Sequence, residues 1–107
     1  MRTMPNANKW KPERVVFRIE HDPYMEIDKV LAVFPDDEAN FGRVCFVPMW
    51  FDGHGTCWFD PYGEMAIQYY WSTKPLKDVK MVGKCKKALE DRYGGKFKVV
   101  QKIIRKG

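Results

Sequence analysis

A chain of 107 residues is the size of one domain, and with 45% hydrophobic and 15% aromatic residues it can build a real core, which excludes global disorder. No window approaches the roughly 18 consecutive apolar residues of a helical membrane span, and the opening "MRTMPNANKWKPER" lacks the apolar stretch of a signal peptide. The net charge is +5 but uneven: residues 19–64 hold ten acids against two Lys/Arg, and residues 65–107 hold twelve Lys/Arg against three acids. The three cysteines, Cys45, Cys57 and Cys85, are odd in number and widely spaced, so they read as reduced thiols and the expected location is cytoplasmic.

In chain order, residues 1–12 lack apolar periodicity and contain Pro5 and Pro12, which predicts a flexible basic N-terminal arm carrying Trp10. Residues 13–107 form the predicted domain. "RVVFRIE" (14–20) alternates apolar and polar positions and predicts a half-buried strand, broken by "HDPY". "DKVLAVFP" (28–35) is a second strand, and "DDEANFG" (36–42) an acidic loop. "RVCFVPMWF" (43–51) is apolar on both faces and predicts a covered strand. Pro48 cannot donate a ladder hydrogen bond there, so the strand bulges or that side of it is an edge. "EMAIQYYWST" (64–73) reads as an aromatic strand, with a short helical turn over 60–66 before it.

"KPLKDVKMVGKCKKALEDRYGG" (74–95) predicts a helix, with Pro75 in its first turn and Gly94-Gly95 at its stop. Val79, Val82, Cys85, Leu89 and Tyr93 share its apolar side. "KFKVVQKII" (96–104) is the last predicted strand. The expected fold is therefore α+β: one two-layer domain with a mostly antiparallel sheet of four or five strands and one C-terminal-half amphipathic helix on one face.

The segment "FDGHGTCWFDPYGE" (51–64) places His54 and Cys57 three residues apart among carboxylates. A Cys–His nucleophile needs the thiol beside the imidazole and a third group orienting the ring. A zinc site needs a second ligand pair, and the sequence has no Cys-x-x-Cys or His-x₃-His. Asp52-Gly53, His54-Gly55 and Asp60-Pro61-Tyr62-Gly63 are strong turn signals. The segment thus reads as a connection between aromatic strands, with neither a catalytic residue nor a metal ligand assigned. Of sixteen aromatics, ten lie in residues 41–71, more than a small core absorbs. Exposed aromatics beside basic groups suit base stacking, a nucleotide pocket or a protein interface. Trp58, Tyr62, Tyr70 and His54 are the expected binding residues here.

The order Phe17-Arg18, "LAVFP" (31–35), "GHG" (53–55), "TKP" (73–75) and "FKVV" (97–100) resembles a group of small uncharacterised proteins of phages and bacterial mobile elements. The match spans roughly residues 15–103; this chain is longer between "GHG" and "TKP" and adds the basic arm. The resemblance implies a phage or mobile-element accessory protein and names no chemistry.

On the predicted helix, Lys77, Lys80, Lys84 and Lys87 form one arc, in which Asp91 is the lone acid. A solvated face is the usual reason for such lysines, but a nearly single-sign face is also the footprint of a phosphate-rich partner. Lys9, Lys11, Arg14, Arg105 and Lys106 could extend it. The expectation is a small non-enzymatic cytosolic binding protein without a cofactor. It would use the basic face and exposed aromatics on an acidic partner, nucleic acid or nucleotide. The alternatives are a protein-interaction module, such as a phage-encoded inhibitor of a host protein, and a small enzyme or metal site at His54/Cys57.

Overall fold

The computed structural model describes residues 14–38 and 43–101. The expected N-terminal arm, the acidic loop beyond Glu38 and the end of the expected last strand lie outside the described residues. The element order is β1 (Arg14–Asp22), β2 (Ile27–Glu38), β3 (Val44–Phe51), β4 (Cys57–Phe59), β5 (Gly63–Met65), α1 (Ile67–Ser72), β6 (Lys74–Pro75), α2 (Val79–Tyr93) and β7 (Lys98–Val99).

β1, β2 and β3 form an antiparallel meander, with Val16 opposite Val33 and Ala32 opposite Val47. The outer side of β3 is shared by β4, which pairs Met49 through Phe51, and β5, which pairs Val44 through Phe46. Pro48 falls in the gap between them, where its carbonyl accepts from the Asp60 amide at 3.0 Å. The missing N–H of proline is tolerated there because no ladder crosses that position on the outer side. The outer side of β1 is shared likewise by antiparallel β6 and parallel β7.

The strand alternation sorts the sheet into two buried faces. Val15, Phe17, Val30, Ala32, Phe34, Val47 and Met49 pack under α2, against Cys85, Leu89 and Tyr93. Val16, Leu31, Val33 and Val44 point the other way and are covered by Met65 and by Tyr70 of α1. The α+β class stands, but the expected two layers and four or five antiparallel strands are corrected. Among the described residues the sheet has seven strands and is mixed, and a helix lies on each face. β7, the strand after α2, pairs parallel with β1.

Residues 67–72, expected as a strand, are the short helix α1, and the turn expected over 60–66 contains β5 instead. The aromatic run carries strand propensity, but that preference is for packing on a pleated surface and gives way to burial of Tyr70, with Ile67 three residues before it partly buried against the same cluster.

The long helix also starts later than expected. Pro75 belongs to β6, opposite Arg18, and Asp78 is the N-cap, its carboxylate accepting from Lys80 N and Met81 N. Val79, assigned to the apolar side, is 84% exposed; Cys85, Leu89 and Tyr93 carry the buried stripe at four-residue spacing. Gly94 ends the helix in the left-handed region at φ 72°, as the sequence expects of that glycine.

Candidate functional site

Lys80, Lys84 and Lys87 stand exposed on α2, while Lys77 precedes the N-cap and is exposed in the connection from β6. None of the four is in an ion pair among the described residues. Neighbouring Lys86 is neutralised by Glu90 at 3.2 Å. Asp36 on β2 is held by Arg14.

The turn after β3 faces this helix. The Asp52 carboxylate accepts from His54 N (2.8 Å), Thr56 N (3.0 Å) and the Trp58 indole N–H (2.8 Å). These donors, the indole first, hold the Asp52 carboxyl below its ordinary range. Gly55 closes the turn at φ +81°, where a side chain would be strained. The clamp fixes Trp58 half exposed at 52% and leaves His54 in solvent.

His54 and Cys57 do not hydrogen-bond to each other. The Cys57 thiol meets the Trp58 carbonyl at 3.9 Å, and burial pushes its pKa up to about 11 against the pull of Arg92. That is the opposite of an activated nucleophile. Among the described residues, no group of three or more His, Cys, Asp and Glu side chains is placed to share a metal ion.

Between turn and helix lies a cleft of about 520 Å³, walled by Lys84, Lys87 and Asp91 on one side and Phe51, Asp52 and Cys57 on the other. Beyond β4, a second cleft of about 320 Å³ lies between Phe59, Tyr62 and the end of α2. There the Arg92 guanidinium sits 4.5 Å from the Phe59 ring centroid and 5.6 Å from that of Tyr93. Arg92 Nε also donates to the Tyr93 hydroxyl at 3.3 Å. Burial raises the Tyr93 phenol, and Arg92 opposes it.

On the α1 face, near the β1–β2 turn, Lys29 is 8% exposed and bridges Asp22 (2.9 Å) and Asp60 (2.7 Å), with its ammonium 4.9 Å from the Trp50 ring. A third cleft of about 320 Å³ joins Glu20, His21 and Asp28 to Tyr69, Ser72 and Lys74. His21 Nδ1 is 3.1 Å from Asp28, but the Ser72 hydroxyl donates to the Tyr69 carbonyl at 2.6 Å, so it does not complete a Ser–His–Asp relay.

Of the residues expected from sequence, Lys84 and Lys87 line one cleft, opposite Asp52, Gly55 and Cys57 of the turn; His54, Trp58, Lys77 and Lys80 do not line it. Tyr62 is half-buried, its ring 6.2 Å from that of Phe34. Tyr70, expected among the surface aromatics, is fully buried, because α1 turns it onto the sheet under Arg18. Sequence reasoning missed Arg92 and Phe59. Arg92 lies eight residues after Lys84, about two turns further along the helix, so the charge pattern could have found it. Its contact with Phe59 is set by tertiary packing.

No family model matches the chain, and neither a curated protein nor a solved structure matches it. Among the described residues, no helix is long and apolar enough to cross a membrane.

Proposed function

We propose that this chain is a small cytosolic, non-enzymatic binding protein, of the kind phages and mobile elements carry, and that α2 takes an anionic partner, nucleic acid or nucleotide. One observation carries the reading: Lys80, Lys84 and Lys87 are exposed on one helix with no carboxylate paired to them among the described residues, while Glu90, Asp52 and Asp60 are engaged elsewhere and Asp91 is the one acid left beside them. Unpaired cations at this spacing repel one another, and a phosphate-rich partner relieves that cost by counterion release. The raised Cys57 thiol favours binding over catalysis at the adjoining turn.

The test is fluorescence anisotropy of labelled DNA at low and moderate salt, with Lys80, Lys84 and Lys87 all changed to Gln. Wild-type binding falls steeply with salt. The substitution weakens it and lowers the salt slope by about 0.7–0.9 for each phosphate that is no longer neutralised. Absence of DNA or nucleotide affinity at low salt removes the reading.

A second reading, a protein-interaction module, draws on Tyr69 (42% exposed) and Trp71 (57% exposed) of α1, across the sheet from α2. Iodide quenching that is unchanged by Trp71→Phe would remove its support.

A further inference from the structure

We infer that the two clefts flanking β4 form one groove for single-stranded nucleic acid, in which Lys84 and Lys87 meet phosphates and the Arg92–Phe59 pair seats a base. The inference rests on the α2 reading above and deepens it. The clefts are consecutive on both walls. Along α2, the first takes Lys84 through Asp91 and the second Arg92 and Tyr93; along the facing chain, the first takes Phe51 through Cys57 and the second Phe59 through Tyr62. Lys84 to Arg92 is eight helical steps, about 12 Å.

The groove carries a positive excess: Asp60 is paired with Lys29, which leaves Lys84, Lys87 and Arg92 against Asp52 and Asp91. Asp52 is filled by the turn amides and the Trp58 indole, and Asp60 by Lys29. Lys84 and Lys87 have no ion-pair partner among the described residues, and against them and Arg92 stand Asp91 and the hydrogen-bonded but still charged Asp52.

Arg92 supplies the second element. Its planar guanidinium lies against Phe59 and is tethered to the Tyr93 hydroxyl, so it is held in place before any ligand arrives. Such a plate suits the π-face of a base. In a duplex those faces are already stacked on one another and cannot enter a cleft between a helix and a strand. A single strand offers them freely. A mononucleotide would occupy one cleft and leave the other empty.

The experiment compares a labelled short oligothymidylate with a blunt duplex of equal length, using the full chain. It sets wild type beside Arg92→Lys, which keeps the charge but loses the planar fork, and beside Lys84→Gln/Lys87→Gln. Wild type prefers the single strand. Arg92→Lys weakens single-strand binding on the order of tenfold and leaves residual duplex binding unchanged. Excess mononucleotide competes poorly. Ultraviolet crosslinking of bromodeoxyuridine oligomers to the unaltered protein places adducts within residues 57–62 and 88–93, and this map decides the matter if Arg92→Lys does not fold. Equal binding of duplex and single strand, or adducts confined to other segments, overturns the groove while the lysine reading survives if Lys84→Gln/Lys87→Gln still weakens binding. No DNA binding by the wild type at low salt overturns both.

Discussion

The guanidinium of Arg18 lies 4.6 Å from the ring centroid of Tyr70 and donates to that residue's carbonyl at 3.2 Å. The same guanidinium donates to the Thr73 hydroxyl at 2.9 Å and to the Thr73 carbonyl. Arg18 is therefore the C-terminal cap of α1, reaching up from β1 through a buried face. It adds a donor to the Tyr70 carbonyl, which also accepts from the Thr73 amide and hydroxyl, and supplies one to the Thr73 carbonyl at the helix end. A helix this short has little stability of its own, so its position depends on this contact and on the burial of Tyr70.

Arg18→Ala should destabilise the fold by about 2–4 kcal/mol, because it deletes the guanidinium's hydrogen bonds to the Tyr70 and Thr73 carbonyls and the Thr73 hydroxyl and uncovers the Tyr70 ring. Arg18→Lys should recover only part of that, since an ammonium cannot present the planar fork. Urea unfolding with an unchanged slope and a lowered midpoint is the expected signature. A wild-type midpoint in Arg18→Ala would show that α1 holds its place without the cap.

The Asp22–Lys29–Asp60 clip sets a pH dependence. The Asp22 carboxyl is held below its ordinary value, chiefly by the hydrogen bond from Lys29 and then by the Met25 amide. Its stabilising effect is complete above the unfolded value of about 3.9 and is lost as pH falls through the lower folded value. Lys29 is raised, by hydrogen bonds to Asp60 and Asp22. Its contribution is complete below about 10.4 and is lost as pH rises through the folded value. Glu20 acts against Asp22: burial raises it, so its protonation favours the fold as pH falls. Lys29→Met should therefore lower the melting temperature most near neutrality, with the gap closing toward pH 3. A gap that is constant from acid to neutral pH would separate Lys29 from these carboxylates.

The thiols should be quiet. Burial pushes Cys57 up to about 11 and Cys85 up to about 12, and Cys45 is fully buried. At pH 8 a thiol with pKa near 11 is about one part in a thousand thiolate, and the thiolate is the reactive form. Native protein should react with Ellman's reagent far more slowly than free cysteine, and all three thiols should react promptly in denaturant. A native Cys57 that labels with a pH midpoint of about 8.5, the value of a free thiol, would make it a candidate nucleophile again.

The three long strands were legible, β1 by its alternation and β2 and β3 as short apolar runs bounded by turn signals, and β1 and β2 extend past their expected ends by only a few residues. Pro48 was legible as a break in the outer ladder, since a missing N–H has a geometric consequence wherever it falls. α1 was not legible. Six residues give a three-residue spacing no room to repeat, and Tyr69-Tyr70-Trp71 carries strand propensity. The helix start was hidden because Pro75 and Asp78 are both good start signals; pairing of Lys74 and Pro75 with β1 selects the later one. At the site, the lysine arc was visible in the charge pattern. The Arg92–Phe59 contact joins residues far apart in sequence and has no local signature.

The lysine arc carries its own stability prediction, independent of any ligand. Lys80 and Lys84 are four apart on α2, and Lys84 and Lys87 three apart, the spacings at which like charges face each other. They have no ion-pair partner among the described residues; Glu90 is engaged by Lys86 and the Phe97 amide and Asp52 by the turn, which leaves Asp91 as the one acid of the arc. Replacing the three lysines by glutamine removes the repulsion while keeping good helix formers. Stability at low salt should then rise by about 0.2–1 kcal/mol. The gain should shrink as salt is added, because exposed charges are screened beyond the Debye length. Melting curves of wild type and triple variant at two salt concentrations read both effects. A loss of stability in the variant would mean that the lysines pair within the fold, and a solvated, self-neutralised face would then replace a binding face as the reason for the arc.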